Sequence, residues 1–149
     1  MSVYPHEHGL GGRFEADQLA DLGDFAARYT PGRDEVFSVR DEHGLIASAA
    51  VDGGSPDSAA NDEPAHARLR WVLVAPRARG RGLGAQLMAE ALAVVDAPPA
   101  RPAWLTTFDG LQTARRLYER RGFVMSHSWS DERWGRALTI QRFDRPIAR

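Results

Sequence analysis

The spacing of apolar residues predicts helices and strands along most of the chain. Helices are predicted at residues 14–29, from 83 to about 95, and in a segment that ends at Gly122, a residue type that often terminates helices. Strands are predicted at residues 36–39, 45–51, 69–75, 103–107, 123–129 and 134–143. This order predicts an α+β sheet with a single right-handed βαβ crossover after residue 75.

Two of the predicted helices have a clear apolar face. The face of the first helix, which Pro31 and Gly32 terminate, consists of Leu19, Leu22, Phe25, Ala26 and Tyr29. The face of the last helix consists of Leu111, Ala114, Leu117 and Tyr118. Polar segments between these elements predict a loop at 1–13, a hairpin turn at 41–44, a mobile hairpin loop at 52–66, a linker at 97–102 and a turn at 130–133.

The segment between strand 69–75 and the next helix interleaves arginine and glycine. Gly80, Gly82 and Gly84 have no Cβ, so an anion can approach the main chain closely, and Arg79 and Arg81 add positive charge. The first N–H groups of a helix lack intrahelical acceptors and lie at the positive end of its dipole. The pattern predicts a site for a phosphate or pyrophosphate.

The same segment allows two other interpretations. One is a solvated turn between a strand and a helix, because glycine-rich turns are common. The other is a dinucleotide site, because residues 80–85 fit the pattern G-x-G-x-x-G/A. That fingerprint belongs to the first turn of a repeated βαβ sheet and has an acidic residue about 20 positions later. Here the segment lies in mid-chain and is followed at that distance by the Pro98-Pro99 linker.

Composition limits the classes of function. The 149 residues suit one domain over residues 1–149, and the net charge of −1 does not favour nucleic acid or a membrane surface as partner. Cysteine and lysine are both absent, which excludes thiolate, disulfide and Schiff-base chemistry. Neither a membrane span nor a signal peptide is visible in the sequence, so a cytoplasmic protein is expected. The use of arginine without lysine, together with abundant alanine, indicates a GC-rich genome, and a bacterial source is expected.

Two motifs resemble those of the GNAT superfamily of N-acetyltransferases. Residues 77–84 read Arg-Ala-Arg-Gly-Arg-Gly-Leu-Gly and match the superfamily's Q/R-x-x-G-x-G/A loop. Residues 114–123 read Ala-Arg-Arg-Leu-Tyr-Glu-Arg-Arg-Gly-Phe and match its A-x-x-L-Y-E-x-x-G-F helix end. Residues 69–143 also resemble the acetyltransferase halves of MarR-type regulator fusions and their free-standing relatives, through residues 69–71, 105–107 and 134–135.

The resemblance implies a GNAT-like mixed, mostly antiparallel central sheet flanked by helices, with one βαβ crossover at the pyrophosphate loop. It implies transfer of an acetyl group from acetyl-CoA to an amine. The donor would contact Val72, Leu73 and Val74 along its pantetheine arm and the loop residues Arg79, Gly80, Arg81, Gly82, Leu83, Gly84 and Ala85 at its pyrophosphate. The thioester would lie where strand 69–75 splays from strand 103–107, with an N–H near Leu73 facing the acetyl carbonyl.

By the same resemblance, Tyr118 would be the acid that protonates the departing CoA thiolate. Helix periodicity alone favours a different interpretation, in which Tyr118 is an aromatic core residue. The general base is left open among Glu15, Asp109, His127, Glu132 and a water chain.

The chain departs from the superfamily's pattern in two places. The superfamily often has Asn seven residues before the tyrosine, where this chain has Leu111. The usual first strand is missing, which would leave an exposed sheet edge and allow a homodimer.

Some alternatives stay open at the level of the sequence. A catalytically idle acyl-CoA-binding module is the main alternative to an enzyme, and a dinucleotide-binding oxidoreductase is the weaker one. The segment His6-Glu7-His8 offers two imidazoles, but no third ligand lies within helical reach, so no metal is predicted. The basic surface of the last helix is more typical of a solvated face than of a nucleic-acid site.

Overall fold

The computed structural model of the chain describes residues 12–54, 66–132 and 137–147, except the side chains of residues 12–15. Its helices are α1 (Gly12–Ala27), α2 (Leu83–Asp96) and α3 (Gln112–Arg120). Its strands are β1 (Glu35–Asp41), β2 (Gly44–Asp52), β3 (Ala67–Val74), β4 (Ala103–Phe108), β5 (Val124–Asp131) and β6 (Leu138–Arg145). The predicted order of elements is confirmed, and a short 3₁₀ turn, Pro76–Ala78, precedes the glycine segment.

Across the described residues, the strands form one sheet in the order β1-β2-β3-β4-β6-β5. Every neighbouring pair is antiparallel except β3 and β4, which are parallel and are joined through α2. The predicted α+β class and the βαβ crossover through α2 are therefore confirmed. One parallel pair does not make the repeated βαβ sheet that the dinucleotide interpretation requires.

The two parallel strands separate soon after they meet. β3 pairs with β4 only at Ala67 with Ala103 and at Arg68 with Trp104. Beyond Arg68 the strands diverge, and we call the space between the rest of β3 and the rest of β4 the β3/β4 gap. This divergence agrees with the splay that the resemblance implied.

The largest core cluster lies on the sheet face that carries α2 and α3. Its fully or almost fully buried members include Val51 and Leu69 from the sheet, Met88 from α2, and Phe123 and Phe143. A second cluster joins Ala47, Ala49 and Leu87 where α2 crosses β2. These contacts fix the N-terminus of α2 beside the carboxyl end of β3.

α1 packs on the sheet face opposite to the one that carries α2 and α3. The side of α1 that contacts the sheet differs from the side that its apolar spacing predicts. Of the predicted face, only Phe25 is buried, whereas Leu19 and Leu22 are 60% and 46% exposed. The residues that contact the sheet are Gln18, Asp21, Phe25 and Arg28, which are spaced by three and four positions. The stripe is mostly polar, so hydrophobic periodicity does not detect it.

Asp52 explains why a polar helix face can pack on a sheet. The carboxylate is fully buried at the end of β2 and accepts two hydrogen bonds from Arg28, at 2.8 and 3.0 Å, and one from Arg70 at 3.3 Å. Burial alone would raise the pKa of Asp52, but these guanidinium groups hold it below its ordinary value. The charges are paired, so α1 is tied to β2 and β3 through ion pairs.

Several predicted segments fall outside the described residues. They are the loop at 1–13 apart from its last two residues, the missing first strand, most of the loop at 52–66, and the His6, Glu7 and His8 group. Two predicted boundaries are wrong: residues 12–13 belong to α1, and Ser130 and Asp131, predicted in a turn, extend β5 because they pair with Thr139 and Leu138 of β6. The described residues contain no cluster of three or more His, Asp or Glu able to hold a metal. None of the helices in those ranges is long and apolar enough to cross a membrane.

Candidate active site

The glycine segment adopts a backbone that requires glycine at two positions. Gly80 and Gly82 have φ angles of 81° and 75°, in the left-handed region that disfavours residues with a Cβ. Gly82 is the N-cap of α2, and its carbonyl accepts the first helical hydrogen bond, from the N–H of Gln86 at 3.0 Å. No side chain caps this helix, so the amides of Leu83, Gly84 and Ala85 are presented at its entrance.

Gly84 lies inside α2 and differs from Gly80 and Gly82, because its position leaves room for a Cβ. A Cβ at this position would lie 3.4 Å from Leu117 Cδ2 and 3.7 Å from Val74 Cγ2. The glycine thus lies where α2, α3 and the end of β3 pack closely together. Its N–H belongs to the presented amides, and a methyl group at this position would make ordinary van der Waals contacts.

Arginines surround the same helix entrance. Arg79 and Arg81 are both exposed, and Arg81 donates from Nη2 to the Arg77 carbonyl at 3.3 Å. Arg77 in turn pairs with Asp41 at 2.6 Å, which ties the loop to the β1/β2 hairpin. The positive end of the α2 dipole and these guanidinium groups together favour an anionic ligand.

The strand that leads to this loop carries an irregularity beside the β3/β4 gap. Trp71 has a φ of 51°, and the register between β2 and β3 shifts between Ser48 and Ala50. Both observations describe a β-bulge, in which an extra residue of β3 faces β2. Sequence periodicity does not reveal it, because Trp71 carries a bulky side chain in a conformation typical of glycine.

The predicted pantetheine-contacting residues follow this bulge directly. Val72 and Val74 are partly buried on the face that carries α2, whereas Leu73 is 38% exposed. All three lie along the edge of β3 that no longer pairs with β4. Their backbone is therefore positioned to pair with an extended ligand in the gap.

Tyr118 lies on α3 within the main core. Its side chain is 7% exposed, and its ring lies 6.2 Å from that of Phe123 and 6.3 Å from that of Phe143. Burial raises its pKa to about 12. The phenol is therefore protonated at neutral pH, as a proton donor must be. The core interpretation and the acid interpretation are compatible in this position.

The four residues considered as bases lie in different places. Asp109 immediately follows β4, beside the gap, and accepts a hydrogen bond from Gln141 at 3.4 Å. His127 lies on β5, which β6 separates from β4, and Glu132 follows that edge strand. The side chain of Glu15 lies outside the described residues. Of the described residues in this set, Asp109 is thus nearest along the sheet to the gap.

The α3 N-terminus bears the chain's departure from the superfamily motif. Leu111 is the N-cap of α3, and no side chain caps the helix there. An Asn at this position would be a favoured N-cap residue. With Leu111 in this place, α3 begins without the side-chain cap that an Asn could supply.

Two parallel strands that diverge beside an uncapped, glycine-lined helix N-terminus leave a gap next to a site that favours an anion. The family model described as "Acetyltransferase (GNAT) family" matches residues 11–123. The chain belongs to the acetyltransferase (GNAT) family. The membership confirms the resemblance drawn from the two motifs, the fold class and the prediction of an N-acetyltransferase enzyme.

Solved structures with the same fold are numerous. A GNAT-family protein from Desulfovibrio desulfuricans is 22% identical, with a TM-score of 0.65 over 95% of this chain and 86% of that one. YncA from Salmonella typhimurium, solved with its cofactor acetyl-CoA, is 15% identical, with a TM-score of 0.66 over 87% and 73%. A ribosomal-protein-alanine N-acetyltransferase from Brucella melitensis is 18% identical, with a TM-score of 0.64 over 89% and 77%. No curated protein matches the sequence.

Proposed function

We propose that this protein transfers the acetyl group of acetyl-CoA to a primary amine of a small molecule, an amino acid or a peptide. The observation that carries the proposal is the uncapped α2 N-terminus, with Gly80 and Gly82 in left-handed conformations, next to strands that diverge. The first feature suits a pyrophosphate, and the second suits a thioester arm. Acetyl-CoA combines both groups in one molecule.

Backbone amides and arginine side chains would together bind acetyl-CoA. The amides of Gly82, Leu83, Gly84 and Ala85 would hold the pyrophosphate oxygens, while Arg79 and Arg81 would neutralise their charge. The backbone of Val72, Leu73 and Val74 would pair with the amide groups of the pantetheine arm. YncA, which shares the fold, was solved with acetyl-CoA, and this supports the same donor here.

The reaction would proceed by direct attack. The neutral amine nitrogen attacks the thioester carbonyl carbon, a C–N bond forms, and the carbonyl electrons move to oxygen, where a backbone N–H of β3 stabilises the charge. Those electrons then return, the C–S bond breaks, and the Tyr118 hydroxyl gives the CoA thiolate a proton or a strong hydrogen bond. If the proton is transferred, the Tyr118 phenolate takes another from solvent. The amine loses its proton to a base that has no assigned residue, with Asp109 the best placed of the described ones.

The proposed acceptor is a class, the primary amines, and not one compound. The similar structures include a ribosomal-protein-alanine N-acetyltransferase and spermidine N-acetyltransferases, and thus span protein and polyamine acceptors. Because these proteins are only about one-fifth identical to this chain, they share its fold but do not indicate which acceptor it uses. A single domain over residues 1–149, a cytoplasmic location, a homodimer and the absence of a nucleic-acid partner stay predictions.

The test is to incubate the protein with acetyl-CoA and a panel of amino acids, polyamines and peptides, and to measure free thiol. Calorimetry with CoA and with NAD measures binding independently of turnover. Amine-dependent thiol release is expected, together with binding of CoA and no binding of NAD. CoA binding without turnover on any amine would favour the idle acyl-CoA-binding module, and absence of CoA binding would refute both.

A further inference from the structure

The bulge at Trp71 is a strained feature held by several neighbours. A bulky residue with positive φ is strained and persists only where its surroundings hold it in place. Trp71 Nε1 donates to Gln18 Oε1 at 3.0 Å, its ring lies 5.5 Å from that of Phe25, and the Arg70 guanidinium stacks over it at 4.5 Å. These contacts fix the side chain.

The Ser48 side chain holds the backbone of the bulge. Its hydroxyl donates to the Trp71 carbonyl oxygen at 2.7 Å. The peptide bond between Trp71 and Val72 is trans, because Pro98-Pro99 is the only cis bond in the described chain. A trans peptide is planar and its N–H points opposite to its C=O. The Val72 N–H therefore points away from Ser48.

That direction leads to the side of β3 where the acyl donor is proposed to bind. β3 lies between β2, which carries Ser48, and β4. Pairing with β4 ends at Arg68, so the edge of β3 at Val72 faces the β3/β4 gap. An N–H aimed there is suited to stabilise negative charge on a thioester oxygen.

We infer that Ser48 is a positioning residue for acyl transfer, whose hydroxyl holds the Trp71–Val72 peptide so that the Val72 N–H faces the acetyl oxygen in the β3/β4 gap. The inference rests on the proposed function. It assigns the N–H that faces the acetyl oxygen to Val72, where the sequence indicated only an N–H near Leu73. Ser48 contacts neither substrate. It acts only through the orientation of one peptide group.

The test compares Ser48→Ala, Ser48→Thr and Ser38→Ala in steady-state kinetics with acetyl-CoA. Ser38 lies directly opposite Ser48 on β1 and is exposed, so Ser38→Ala controls for the loss of a hydroxyl from the same sheet face. Loss of an oxyanion donor costs about 10²–10³ in kcat, and a tilted donor costs less. Ser48→Ala is expected to lower kcat about tenfold or more with the KM for acetyl-CoA unchanged, and Ser48→Thr is expected to restore kcat.

Two outcomes overturn the inference while leaving the proposed function intact. One is a Ser48→Ala kcat equal to that of Ser38→Ala in an active, folded enzyme. The other is an equal loss in Ser48→Ala and Ser48→Thr, which would indicate packing rather than the hydroxyl. If Ser48→Ala does not fold, Ser48→Cys keeps the side-chain volume with a weaker donor and should show the same loss of kcat. A parent enzyme that does not turn over acetyl-CoA would instead refute the proposed function.

Discussion

Substitutions at Gly82 can test whether the N-terminus of α2 binds a negatively charged group, separately from the effect of adding a side chain there. The residue has a φ of 75°, and a Cβ there would meet no atom within 4 Å. Asn and Asp tolerate the left-handed region better than other side chains, and they have nearly the same size. Gly82→Asn and Gly82→Asp therefore differ by one negative charge, with about equal backbone strain of roughly 1 kcal/mol.

The expected difference between the two variants follows from Coulomb's law. Two unit charges about 4 Å apart repel by about 1 kcal/mol in water and by about 4 kcal/mol at the effective dielectric typical of protein surfaces. Even the lower value corresponds to about a fivefold loss of affinity for each phosphate charge. Gly82→Asp should therefore bind CoA at least about tenfold more weakly than Gly82→Asn, since a pyrophosphate carries more than one charge.

Calorimetry with CoA at low and high salt measures this difference, which should shrink as salt rises because exposed charges are screened. Gly32 supplies the matched control, with a φ of 87° and open space around its missing Cβ, in the connection between α1 and β1. Gly32→Asp and Gly32→Asn should bind CoA equally well. Equal CoA affinities of the folded Gly82→Asp and Gly82→Asn variants would refute a pyrophosphate site at this helix entrance.

Three further changes test other parts of the site. Arg79→Ala should weaken CoA binding, and the loss of affinity should become smaller as the salt concentration rises. Arg40, an exposed residue of β1, supplies the control, because Arg40→Ala should leave CoA affinity unchanged. A loss of affinity in Arg79→Ala that calorimetry finds independent of salt would contradict a role of its charge. Tyr118→Phe should lower kcat by about 10²–10⁴ while leaving CoA affinity unchanged. Because its pKa is raised to about 12, the parent should show no alkaline fall in kcat from Tyr118 below about pH 11, and a pH profile checks this. Gly84→Ala should keep CoA affinity and raise the melting temperature by a few degrees, since Ala stabilises a helix by up to about 1 kcal/mol over Gly; a loss of CoA affinity would show that the missing Cβ serves the ligand.

Local patterns predicted the elements that depend on local physics. The glycine and arginine segment after an apolar strand predicted the helix entrance, because glycine at positive φ and an uncapped helix start are encoded within a few residues. The core helix face around Tyr118 and the splayed parallel pair followed from periodicity and from the family motifs. The family match over residues 11–123 confirms the family resemblance that these motifs indicated.

Features that depend on partners distant in sequence could not be predicted. The contact of Gln18 with Trp71 spans 53 positions, and that of Ser48 with Trp71 spans 23. The sheet-facing side of α1 is polar because Asp52 is buried beneath it, a compensation that hydrophobic spacing does not encode. The bulge at Trp71 is set by this tertiary environment and carries no glycine to indicate it.

A crystal structure of the protein with acetyl-CoA tests the central claim most directly. The account predicts pyrophosphate oxygens within hydrogen-bond distance of the amides of residues 82–85, and the acetyl oxygen facing the Val72 N–H in the β3/β4 gap. The sulfur atom should face the Tyr118 hydroxyl. A donor bound with its pyrophosphate away from the α2 N-terminus, or with its thioester outside the gap, would contradict the account.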